Sequence, residues 1–132
     1  KAAIRREGKD ATIITYGAMT HVVLEAVETL TSEGHDIRVL DLRSLVPLDE
    51  ECIIQATKET NRIMIVHEHA GRGGLAGEIT SIINENAFDY LDAPILRVTA
   101  PNTPVPYAPP LEEAYLPRPD DVLATARELL AY

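Results

Sequence analysis

The chain has 132 residues, 45% hydrophobic and 25% charged, enough for one packed domain of ordinary globular composition and too few for two. Twelve Lys and Arg against 21 Asp and Glu give a formal net charge of -9, which argues against a nucleic-acid platform or a binder of anionic membranes and suits a basic protein partner. No apolar run approaches the ~20 residues of a membrane span, no signal-peptide pattern is seen, and the single Cys52 has no internal disulfide partner, so nothing calls for an oxidising compartment.

In chain order, Lys1 to Glu7 is a short half-apolar segment and a doubtful edge strand. Gly8-Lys9-Asp10 reads as a turn. Ala11 to Tyr16 is rich in β-branched residues and predicts a buried strand. From Thr20 to about Glu33 the apolar positions Val22, Val23, Ala26, Val27 and Leu30 keep helical spacing, and Gly34 is the expected stop. Ile37 to Leu42 is the next strand. Asp49 is the expected N-cap of a second helix, with Glu50 and Glu51 in the first turn, where the helix dipole favours anions. Ile53, Ile54 and Ala56 give its buried side, and Asn61 closes it. Ile63 to Val66 predicts the central strand, leading into a polar tip of His67, Glu68 and His69. A glycine loop follows (Gly71, Gly73, Gly74, Gly77), then a helix over Leu75 to Ala87 with Ile79, Ile82 and Ile83 inward. Ile95 to Thr99 is the last clear strand.

Seven of the nine prolines lie between Pro101 and Pro119. Such a stretch forms neither helix nor a regular sheet. Tyr107, Leu111, Tyr115 and Leu116 make it too apolar for a disordered linker, so an extended arm across a surface is expected. Pro119 and Asp120 start a final helix with the stripe Val122, Leu123, Ala126, Leu129 and Leu130. Strands alternating with helices imply a largely parallel sheet of four or five strands covered on both faces, a three-layer α/β/α domain over residues 1–132. The chain opens on Lys1 and not on Met, so a longer parent protein is expected.

Three features invite a chemical reading. The order G-x-G-G-x-x-G between a strand and a helix is able to cradle an anion. The dinucleotide fingerprint, however, belongs on the first strand of its unit, with an acid ending the next strand. The competing reading is a tight turn that lets helix and strand pack closely. His67 and His69 share one face of a strand and Glu68 the other. Two imidazoles beside a carboxylate suit zinc, but no third ligand stands at a telling spacing. Glu68 has a further reading as an acid or base at a strand end, against a carboxylate held by loop amides. His21 and His35 read as surface residues. Cys52 sits on a helix with an acidic first turn, which opposes thiolate formation, and reads as a core thiol. No serine or threonine carries a nucleophile-elbow motif. Residue types and spacing alone therefore give a soluble α/β domain without a complete active site.

Four segments carry a family resemblance: ATIITYGAM (11–19), IRVLDLRSLVPLDEE (37–51), RIMIVHEHAGRGGLAGEI (62–79) and FDYLDAPILRVTAPNTPVPYAPPLEEAYLPRPDDV (88–122). They resemble the C-terminal domain of the beta subunit of the thiamine-diphosphate-dependent decarboxylating component of 2-oxo acid dehydrogenase complexes, within the transketolase C-terminal domain family. The resemblance implies a mixed sheet of about five strands with the first antiparallel, making Lys1 to Glu7 a true strand. It implies thiamine diphosphate and magnesium bound outside this domain, by the beta subunit's N-terminal domain and the alpha subunit. It implies an oxidoreductase in a multienzyme complex, in a bacterial cytoplasm or another reducing compartment, whose isolated C-terminal domain is inactive. That domain is expected to pair with a second beta subunit and to dock the small basic peripheral subunit-binding domain of the lipoyl acyltransferase core. The docking residues it points to are the Tyr132 carboxylate and Asp92, with Asp89 beside them. For Asp92 the competing reading is a turn residue bonded to its own backbone. His67, Glu68, His69, Gly73 and Gly74 form a strand-end loop without an assigned role, and no catalytic or metal residue is expected. Pyruvate, branched-chain 2-oxo acids and acetoin all remain open as substrates. Two readings from other classes stand against it: a stand-alone anion- or nucleotide-binding domain using Gly71 to Gly77, and a small metal-dependent hydrolase using His67, Glu68 and His69.

Overall fold

The structure, a computed structural model, describes residues 1–70, 74–100 and 116–132, with the backbone alone for His69, Ala70 and Ala100. Gly71, Gly73 and most of the proline-rich arm, with its expected extended course, lie outside the described residues. Among the described residues five strands form one sheet: β1 (Ala3–Arg6), β2 (Ala11–Thr15), β3 (Ile37–Asp41), β4 (Ile63–Ala70) and β5 (Leu96–Ala100). Their spatial order is β1-β3-β2-β4-β5. β1 runs antiparallel to β3, and every other pairing is parallel.

Among the described residues four α-helices cover the sheet: α1 (Met19–Ser32), α2 (Glu50–Thr60), α3 (Leu75–Ala87) and α4 (Pro119–Leu130). Side chains alternate across a strand, and this alternation divides the core in two. Ile13, Met64 and Val66 point to one face, where Val23, Val27 and Leu30 of α1 and Val122, Ala126 and Leu129 of α4 meet them. Ile14, Ile63 and Ile65 point to the other, against Ile53 and Ala56 of α2 and Ile79 and Ile83 of α3. The result is the expected three-layer mixed sheet with its first strand antiparallel. Each fully buried Ile or Leu contributes about 1.5–3 kcal/mol relative to exposure, so the two clusters supply most of the driving force.

Local chemistry sets the boundaries. Asp49 caps α2 by accepting from the Cys52 N–H at 3.2 Å, and its other oxygen accepts from the Ala2 N–H at 3.1 Å. Asn61 ends α2 in the left-handed region, with φ 64°, a conformation Asn tolerates better than most residues. The Asp121 carboxylate accepts from the Arg118 N–H at 2.9 Å at the start of α4. Gly8 sits where a Cβ would lie 2.3 Å from the carbonyl carbon of Ile37, so this turn requires a residue without a side chain.

Several boundaries shift by one or two residues: β1 is Ala3–Arg6, β2 ends at Thr15, β3 ends at Asp41 and α1 runs from Met19 to Ser32; the last two strands shift as well. β5 begins at Leu96 instead of Ile95 and runs to Ala100. β4 continues to Ala70, through the expected polar tip. The reason for the second is pairing: β5 stays beside β4 past a register shift and meets it again at Ala70–Ala100. Backbone hydrogen bonding therefore outlasts the hydrophobic run that marks the strand in sequence.

Candidate functional site

A parallel sheet has two chemically distinct ends, and the candidate residues divide between them. At the carboxyl ends of the strands lie Thr15, Tyr16, Asp41, His67 and Glu68. His67 is fully buried and Glu68 exposed. The His67 ring stacks on Tyr16 with centroids 6.2 Å apart. Burial raises the Tyr16 phenol above its usual range, and the Glu68 carboxylate adds to the rise. The Asp41 carboxylate takes an ion pair from Arg5 at 3.2 Å and accepts the Arg43 N–H at 3.0 Å. Gly74 is the N-cap of α3, whereas Gly73 and the His69 side chain lie outside the described residues. Among the described residues no three His, Cys, Asp or Glu side chains converge as metal ligands.

The opposite end of the sheet is organised by two adjacent residues, Asn61 and Arg62, where α2 passes into β4. The Asn61 side-chain amide donates to the Tyr90 carbonyl at 2.8 Å, and the Asn61 carbonyl accepts the Asp92 N–H at 2.8 Å. Arg62 donates from Nη2 to the main-chain oxygen of Tyr132 at 2.8 Å, and its Nη1 lies 3.9 Å from the Asp92 carboxylate. Tyr132 and Asp92, 40 positions apart in the chain, thus meet at one guanidinium. Lys58 stands over the Tyr90 ring at 5.3 Å.

Asp89 lies a little aside. With Phe88 it lines a cavity of about 630 Å³ between α3 and the Leu91–Ile95 turn, whose wall includes Thr80, Asn84 and Pro94. Phe88 is 60% exposed and Tyr132 56%, large values for aromatic side chains. Asp92 makes no side-chain bond to its own turn among the described hydrogen bonds; its backbone N–H, not its carboxylate, ties the turn to Asn61. Sequence reasoning missed Arg62, and Asn61 appeared only as a helix stop. An arginine at a strand entrance carries no spacing signal, because both its partners are distant in sequence. Cys52 is half-buried on α2, and burial together with Asp49 pushes its thiol pKa up, the direction expected for an unreactive thiol.

The family profile of the transketolase C-terminal domain matches residues 1–122. The chain belongs to that family. It is 45% identical over 98% of its length to the beta subunit of acetoin:2,6-dichlorophenolindophenol oxidoreductase of Bacillus subtilis, covering 38% of that protein. It is 42% identical over its whole length to the 2-oxoisovalerate dehydrogenase beta subunit of the same organism, covering 41% of it. It is likewise 42% identical to that organism's pyruvate dehydrogenase E1 component beta subunit, covering 40% of it. Among solved structures, a split-gene transketolase described as an inactive beta4 tetramer superposes with a TM-score of 0.85 at 30% identity, over 99% of this chain and 41% of that one. The chain of this transketolase-family domain spans about two fifths of the length of the curated relatives it matches. None of its described helices is long and apolar enough to cross a membrane.

Proposed function

We propose that this chain is the assembly domain of the beta subunit of a thiamine-diphosphate-dependent 2-oxo acid dehydrogenase, an oxidoreductase working in a multienzyme complex. In this reading it pairs beta subunits and docks the peripheral subunit-binding domain of the lipoyl acyltransferase core. The observation that carries it is the near-equal identity, 45%, 42% and 42%, to beta subunits named for acetoin, 2-oxoisovalerate and pyruvate. A domain so alike across three substrates does a task common to all of them. Assembly is such a task and substrate selection is not. Thiamine diphosphate and magnesium belong, in this reading, to the beta subunit's N-terminal part and the alpha subunit. A reducing compartment such as the bacterial cytoplasm suits the free Cys52.

The electrostatics support docking. The partner is a small basic domain, and this chain carries a formal charge of -9, a complementarity that favours encounter and orientation. Asp92 and Tyr132 offer acceptors at one edge, with Asp89 and the exposed Phe88 nearby. The relatives lend no support to a stand-alone anion- or nucleotide-binding domain built on the Gly71–Gly77 loop.

The test is a calorimetric titration of the peripheral subunit-binding domain into this chain. Saturable binding is expected, and Asp92→Ala is expected to weaken it roughly tenfold, about 1.4 kcal/mol, with an unchanged melting temperature. Binding that ignores Asp92→Ala would remove Asp92 from the interface.

A further inference from the structure

We propose that the trough between α3 and the Leu91–Ile95 turn is the anchor site of the docking surface: it receives an apolar side chain of a basic partner domain, while Asp89 at its rim meets a lysine or arginine beside that side chain. This rests on the docking reading above and names the chemistry that the surface recognises.

Two elements build the trough. Thr80, Asn84 and Phe88 stand four residues apart along α3 and the 3-10 turn that continues it, so they share one stripe. The Thr80 hydroxyl donates back to the Ala76 carbonyl at 2.7 Å, which satisfies it within its own helix. Leu91, Pro94 and Ile95 form the other wall. That wall is tied to the end of α2, because Asn61 bonds the Tyr90 carbonyl and the Asp92 N–H, each at 2.8 Å. The cleft of about 630 Å³ thus lies between a helix and a turn that is held by a different helix.

Phe88 lines this trough and also a smaller, more polar depression of about 390 Å³ on α3, with Glu85 and Asn86. The ring therefore stands as a ridge between the two, 60% exposed. Covering it and filling the trough removes apolar surface from water, and side chains seated in such pockets dominate binding at protein interfaces.

Charge selects the occupant. Asp89 lines both hollows, Glu85 lines the second, and Asp92 stands on the turn with its carboxylate 59% exposed. Among the described residues no lysine or arginine lines either hollow. A second copy of the chain fits poorly, since a two-fold contact sets the same patch against itself and brings Glu85 and Asp89 onto like charges. A basic domain meets no such repulsion. The apolar side chain then holds the complex together, and the rim acid favours encounter and orientation.

The experiment measures the dissociation constant for the peripheral subunit-binding domain at ~0.1 M and ~1 M salt, with the melting temperature of every variant as a check on folding. Asn84→Trp, which fills the trough from an exposed helix position, is expected to weaken binding roughly tenfold or more. Ser81→Trp, exposed on α3 but outside the trough, is expected to leave it unchanged. Phe88→Ala is expected to weaken binding roughly tenfold at both salt concentrations. Asp89→Asn is expected to weaken it about two- to fivefold at the lower salt and not at the higher, where the charge is screened. Native binding that survives both Asn84→Trp and Phe88→Ala, while Asp92→Ala still weakens it, would overturn the anchor site and leave the docking reading standing. Equal losses in Ser81→Trp and Asn84→Trp would overturn it as well. Self-association by light scattering that Asn84→Trp abolishes would assign the trough to a second copy. No binding by the native chain would overturn the docking reading itself.

Discussion

Asn61 combines two demands that few side chains meet together. Its backbone is left-handed at φ 64°, and its amide bridges to the Tyr90 carbonyl at 2.8 Å. Alanine fails both: the left-handed region costs a Cβ-bearing residue about 1–2 kcal/mol, and the lost hydrogen bond adds about 0.5–1.5 kcal/mol. Glycine fails only the second. Asn61→Ala is therefore expected to destabilise by ~2 kcal/mol or more and Asn61→Gly by ~1 kcal/mol, measured by urea denaturation. Equal losses for the two would mean that backbone strain contributes nothing here. The same position shows what a sequence displays at this scale. Asn after a helical stripe signals a stop, and the stop is there. That its side chain also fixes the turn bearing Asp92 depends on a contact 29 positions away, which no local pattern encodes. Thr60 is a similar case. It is buried, and its hydroxyl meets that of Thr12 at 2.8 Å. A polar side chain satisfied by a distant polar partner is indistinguishable in sequence from one satisfied by water.

At the scale of elements the sequence is more informative, because helix and strand periodicities come from burial that each element needs by itself. The stripes of α1, α3 and α4 and the apolar runs of β2, β3 and β4 all fall where the two core clusters lie. What periodicity does not carry is the end of an element that is set by its neighbour. β4 runs on through His67 because β5 remains alongside, and β1 is a strand because β3 offers an open edge. Asp49 joins both kinds of information. As a cap of α2 it is visible in sequence; as an acceptor for Ala2 it also ties down the start of the antiparallel strand. Loss of a cap costs about 0.5–2 kcal/mol, and loss of the second bond adds to it. Asp49→Ala is thus expected to lower stability by ~1–3 kcal/mol and to speed amide exchange at Ala3 and Ile4 together with the first turn of α2. Asp49→Asn, which still presents one acceptor oxygen, is expected to recover the cap more than the strand. Faster exchange confined to α2 would sever the link to β1.

At the scale of the whole molecule, charge separates the two assembly tasks proposed for this domain. Two identical chains each carry a formal charge of -9, so their approach is opposed by like-charge repulsion, whatever apolar contact then holds them. Exposed apolar side chains for such a contact are present away from the Arg62 edge, Val46 at 89% and Ile4 at 45% among them. A basic partner, in contrast, is drawn in by the same field. Salt acts on both through one length, which falls from ~10 Å at about 0.1 M to ~3 Å at about 1 M. Screening removes repulsion from one process and attraction from the other, and apolar burial is little changed by either. Self-association measured by light scattering is therefore expected to strengthen as salt rises over that range, and docking of the peripheral subunit-binding domain to weaken. The opposite slopes are the signature, since a general loss of folding would depress both together. Self-association that weakens with salt would place ion pairs at the heart of the pairing surface. Docking that ignores salt would mean that the acids at the Arg62 edge contribute shape and no field.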